Sequence, residues 1–176
     1  MKKIFIGITA LALLVASPAP ADEGVTPMLE MNTTYHFMWF DPTIPAGPLA
    51  GKPPGAEWAL AWEGTIQGDV NGVIRWWVEF PPLTGVGRWE IWDCEPVYPI
   101  DCNFDNLIMA GHDAFVYVSD TDWVGKGIVT YAREDYAEWF GRRITDGGWV
   151  EFDASTGFPI YGEGTFVIYN RPSNKH

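Results

Sequence analysis

Residues 62–77 read Trp62-Glu63-Gly64-Thr65-Ile66-Gln67-Gly68-Asp69-Val70-Asn71-Gly72-Val73-Ile74-Arg75-Trp76-Trp77. Across residues 57–67, Trp58, Leu60, Trp62 and Ile66 share one parity, the period-two pattern of a strand with one apolar face. Gly68-Asp69-Val70-Asn71-Gly72 then breaks the pattern. Asn-Gly supplies the positive φ values of a tight hairpin turn, so residues 73–80 are expected to return as the antiparallel partner. Pro81-Pro82 ends that strand, because proline removes a ladder donor.

The same rhythm extends in both directions. Upstream, residues 33–40 read as a strand, and residues 41–56 read as a long loop with five prolines and three glycines. Downstream, strands are expected at about 86–93, at 107–119 with an interruption at His112-Asp113, at 124–132, at 149–153 behind Gly147-Gly148, and at 160–170. Residues 133–140 suit a short helical turn, and 154–157 a turn. About eight sequential strands with short links close most simply into an all-β, antiparallel up-and-down barrel, which removes exposed edges. A two-sheet sandwich is the alternative.

Residues 1–21 stand outside this pattern. Lys2 and Lys3 precede an apolar run from Ile4 to Val15, and Ala19-Pro20-Ala21 follows as a small-residue cleavage site. That is the plan of a secretory signal peptide. It leaves residues 22–176 as a single β domain, secreted or periplasmic, with no later stretch long and apolar enough to span a membrane. The chain has 11 Lys and Arg against 23 Asp and Glu, for a formal charge of −12, and loss of Lys2 and Lys3 makes it more negative still. Such a chain repels phosphate backbones, so nucleic acid is not an expected partner. Export permits a disulfide between the two cysteines, Cys94 and Cys102, stapling the short loop that holds Pro96 and Pro99. Oligomeric state is not legible.

A resemblance emerges from two hairpins. Gly147-Gly148-Trp149-Val150-Glu151-Phe152-Asp153, a turn, and Ile160-Tyr161-Gly162-Glu163-Gly164-Thr165-Phe166 resemble the closing hairpin of allene oxide cyclase-like and dirigent-like barrels. The 62–77 hairpin resembles an early one of the same group. The resemblance implies an eight-stranded antiparallel barrel with a mostly apolar cavity, in a superfamily that includes cyclases and proteins steering stereochemistry. No catalytic residue of that group is matched here, and fold does not carry activity with it.

Strand parity groups the candidate chemistry. Arg75, Trp77 and Glu79 share a face, Glu63 lies with Ala59, Ala61 and Thr65, and Glu90 lies with Arg88 and Trp92. Inside a barrel, Glu63, Glu79, Glu90 and Arg75 are candidates for acid–base work or ligand orientation. On the outside they would be ordinary same-face ion pairs, and parity alone does not choose. His112 and Asp113, as strand neighbours, point to opposite faces, which favours a turn or bulge over a proton-transfer unit. The acidic loop from Asp93 to Asn106 lacks calcium-loop spacing, and no metal site or cofactor is expected. Ten tryptophans suit cavity walls or flat platforms, with core filling accounting for many of them. Trp62, Trp77, Trp92, Trp149 and Tyr117 are the candidate ligand-lining residues. The favoured function is interior binding of a small, largely apolar molecule. Cyclase- or isomerase-type catalysis by an inward carboxylate, and carbohydrate or surface recognition by exposed Trp, are the rivals.

Overall fold

The computed structural model describes residues 27–41, 58–80, 85–95 and 102–172. The signal segment at 1–21 and the 42–56 part of the proline-rich loop lie outside the described residues. Eight strands form one closed antiparallel barrel in sequential order. They are β1 (Pro27–Asp41), β2 (Trp58–Gly68), β3 (Gly72–Phe80), β4 (Gly85–Trp92), β5 (Leu107–Tyr117), β6 (Asp122–Ala132), β7 (Arg142–Phe152) and β8 (Pro159–Pro172). β8 pairs back onto β1, with Met31 opposite Phe166, which closes the ring.

The 62–77 hairpin forms as read, with Trp62 opposite Trp76 and Glu63 opposite Arg75. Its turn differs in mechanism, because among the described residues only glycines take positive φ. Asn71 works through its side chain instead. Its Oδ1 accepts from the Gly68 N–H at 3.3 Å, and its Nδ2 donates to the Gly68 carbonyl at 3.2 Å.

Three elements differ from the expectation. β1 begins at Pro27, and β5 runs unbroken through His112-Asp113. β7 begins at Arg142, straight after a 3-10 turn over Glu134–Trp139. Gly141, at φ 75°, makes the sharp reversal that no bulky residue makes easily. His112-Asp113 interrupts the apolar pattern of β5, and Arg142, Arg143, Asp146 and the Gly147-Gly148 pair mask the start of β7.

The core names the inward parity. Met31, Tyr35, Trp62, Ile66, Ile74, Trp76, Trp89, Phe115, Trp123, Ile144, Val150 and Phe166 belong to one buried cluster and alternate along their strands. Trp76 stacks on Trp123 with centroids 4.7 Å apart and meets Phe115 edge-on at 5.3 Å. Trp89 meets Phe166 edge-on at 4.9 Å. Each buried aromatic ring contributes roughly 2–3 kcal/mol by leaving water, so this stack anchors the barrel. Outward positions such as Asn32, Gln67, Lys126, Glu151 and Glu163 are exposed and polar. No helix among the described residues is long and apolar enough to cross a membrane.

A smaller cluster of Val73, Trp92 and Leu107 packs on the outer face. Against it lies the Cys94–Cys102 disulfide, formed as expected.

Candidate functional site

Parity places Glu63 and Glu90 on the outer face. Glu63, Arg75 and Glu90 stand side by side across β2, β3 and β4 on the outer face. The Arg75 Nε lies 2.6 Å from Glu63 Oε2. The Arg75 guanidinium also sits 5.4 Å from the ring centre of Trp92, whose indole N–H donates to Glu90 Oε2 at 3.1 Å. The row is a hydrogen-bonded network on the outer wall, with Glu63 and Glu90 both buried. Glu79 lies on β3, and its side chain is outside the described ones.

The aromatic candidates divide. Trp62 faces the interior, and Tyr117 faces inward near the end of β5, its ring 6.2 Å from Phe115. Trp77 and Trp92 are buried on the outer wall. Trp149 is half-buried outside and meets Tyr161 at 61°, so the two rings do not form a coplanar platform for sugars. The other tryptophans with described side chains are buried, which makes core filling their main task.

The interior has its own carboxylates, Asp113 and Asp146, at 1% and 2% exposure. In the sequence Asp113 reads as part of a turn or bulge with His112, and nothing singles out Asp146. Gly87 on β4 and Gly125 on β6 make room for the pair. A Cβ at Gly125 would overlap Asp146 Oδ1 and stand 3.3 Å from Asp113 Oδ2, and one at Gly87 would overlap Asp113 Oδ1. The Trp76 indole N–H donates to Asp113 Oδ1 at 3.4 Å. Asp113 Oδ2 and Asp146 Oδ1 lack a donor among the described residues. A single proton held between the two carboxyls satisfies both. Burial raises both carboxyls above the usual range, and the neighbouring Asp113 charge raises Asp146 further. Tyr35, also pushed up chiefly by burial, feels both charges.

Such a pair can give and take a proton, and both residues are almost wholly shut off from solvent. The space bordered by Tyr35, Trp62, Trp76, Trp123 and Val150, which Trp149 also lines, measures about 10 Å3, roughly one water against the ~300 Å3 or more of a small-molecule site.

The larger concavity lies outside. A groove of about 390 Å3 crosses the outer wall of β4 to β8. Strand register builds it in two rows. One runs Val86, Ala114, Lys126, Thr145 across β4 to β7, and the next runs Arg88, His112, Ile128, Arg143. Tyr169 closes the β8 side, and its hydroxyl shares a 3.0 Å hydrogen bond with Thr145 Oγ1. One bond between two hydroxyls leaves one O–H to offer elsewhere. Lys126 and His112 are exposed, whereas Thr145 and Tyr169 are buried at the floor. Partial burial and the charge of Arg88 lower the His112 pKa from 6.5, so the imidazole is neutral at pH 7. Of these residues, only His112 stands out in the sequence. The others become neighbours through register, which no local pattern carries. The chain matches no family model, no curated protein and no solved structure.

Proposed function

We propose that this protein is an exported small-molecule-binding barrel, and that its ligand, largely apolar in body, lies in the outer groove over β4 to β8. The observation that carries this reading is the contrast in space. The groove holds about 390 Å3, within the range of ligand sites, while the space among the interior rings is about 10 Å3. Interior binding, the expectation from the tryptophan content, has the buried aromatic cluster in its favour but not the volume. Cyclase or isomerase chemistry has the Asp113–Asp146 pair in its favour, but burial at 1% and 2% exposure keeps that pair from a substrate in solvent. The disulfide supports export to a secreted or periplasmic location.

The test is a fluorescence titration with anilinonaphthalenesulfonate, which brightens in apolar sites. Ala114 is exposed on the groove wall, so Ala114→Trp fills the groove without disturbing the core. The expected result is saturable binding by the wild type and its loss in the folded A114W variant. Equal binding by both proteins would refute the groove as the site.

A further inference from the structure

The charge around the groove is out of character with the chain. The protein carries 23 acidic and 11 basic residues besides three histidines. Yet Lys126, Arg143 and His112 line this groove, and Arg88 stands next to His112 on β4. The one acid among the lining residues is Asp113, which turns its carboxyl into the barrel against Trp76 and away from the groove. Lys126 and Arg143 are diagonal neighbours across β6 and β7, since Lys126 pairs with Thr145 and Ile128 with Arg143. Diagonal neighbours stand roughly 7–8 Å apart at their bases, within reach of one shared anionic group. Between and beside them, Val86, Ala114 and Ile128 supply apolar wall, and the Thr145–Tyr169 hydroxyl pair offers a donor at the floor.

We infer that the groove selects an anionic amphiphile, a small soluble molecule whose carboxylate or sulfonate is held by Lys126 and Arg143 while its apolar body lies on Val86, Ala114 and Ile128. This rests on the groove being the ligand site, and it adds the chemical class of the ligand. Neutral His112 serves as a hydrogen-bond partner at pH 7, and the hydroxyl pair donates to the same head group. On an acidic protein, a local cationic groove also draws anions away from the rest of the surface.

Two probes of like skeleton test it: anionic anilinonaphthalenesulfonate and neutral N-phenylnaphthylamine, titrated into the full chain. The sulfonate is expected to bind about tenfold more tightly than the amine at low salt, with the gap narrowing towards about 0.5 M salt. Lys126→Glu is expected to weaken the sulfonate about tenfold while leaving the amine within about twofold. Arg143→Gln is expected to act in the same direction, and Lys126 is exposed, so its variant keeps the test valid if the Arg143 variant misfolds. Equal affinities for the two probes, or a K126E variant that binds the sulfonate like the wild type, would overturn the anionic preference. If A114W still blocks both probes in that case, the groove reading stands without it. If A114W blocks neither, both fall.

Discussion

Replacing Asp113 by asparagine is expected to stabilise the barrel at pH 8 and flatten its dependence on pH. Among the described side chains around the Asp113–Asp146 pair there is no cation to balance a second negative charge, and Tyr35 is the titratable neighbour. Burial raises the Asp113 pKa from 3.8 to about 6. A group raised on folding holds its proton more tightly in the native state. Its stabilising contribution is therefore complete below 3.8 and is lost as pH rises through about 6, and Asp146, raised as well, extends the loss upward. At about 1.4 kcal/mol per unit, the Asp113 shift alone corresponds to on the order of 3 kcal/mol between pH 4 and pH 8. The asparagine amide has no charge to bury and keeps an oxygen for the Trp76 indole N–H. D113N should thus gain on the order of 3 kcal/mol over the wild type at pH 8, or roughly 6–12 °C in Tm for a domain of this size, and little at pH 4. Thermal unfolding followed by circular dichroism from pH 4 to pH 9 reads both slopes. A variant whose Tm falls with pH in parallel with the wild type would refute the shared-proton account.

Other outcomes follow from the same geometry. Gly125→Ala drives a Cβ into Asp146 Oδ1, and overpacking of this kind should remove about 2–3 kcal/mol, read as a lower urea midpoint. Replacing Cys94 and Cys102 by Ser opens a loop of sequence separation 8. On the chain-entropy relation it should lower stability by about 2–3 kcal/mol without altering groove binding, and an unchanged Tm would contradict that. His112, with its pKa below 6.5, should add a positive charge to the groove as pH falls. Sulfonate affinity should then rise about threefold from pH 7 to pH 5 in the wild type and stay level in His112→Gln, a contrast that the presence of Arg88, Lys126 and Arg143 in both proteins makes specific to the imidazole. Should H112Q show the same rise, the gain has another source.

Alternation and turn chemistry made the barrel legible. Trp62 faces Trp76 and Ile66 faces Gly72 across a hairpin that residues 62–77 announce, and the strand order follows from short links. Parity was the missing quantity. Both faces of β3 carry tryptophan, Trp76 inward and Trp77 outward, so composition does not distinguish core from outer wall. Glu63 and Glu90 consequently looked as eligible for the interior as any carboxylate. The true interior pair was hidden for a second reason. Asp113 and Asp146 are far apart in the chain and are brought together by pairing of β5 and β7 with β6, where Gly125 leaves the space both occupy. The groove was hidden in the same way, since Lys126, Arg143 and Tyr169 sit on three strands and share no local motif. Disulfide pairing was legible because the chain has two cysteines close in sequence.

Backbone amide chemical-shift mapping tests the central claim most directly. Titrating anilinonaphthalenesulfonate into labelled protein should shift His112, Lys126, Ile128, Arg143 and Tyr169 most and leave Trp62, Trp76 and Trp123 in place. Largest shifts at those interior tryptophans, with His112 and Lys126 unmoved, would put the ligand inside the barrel and contradict the account.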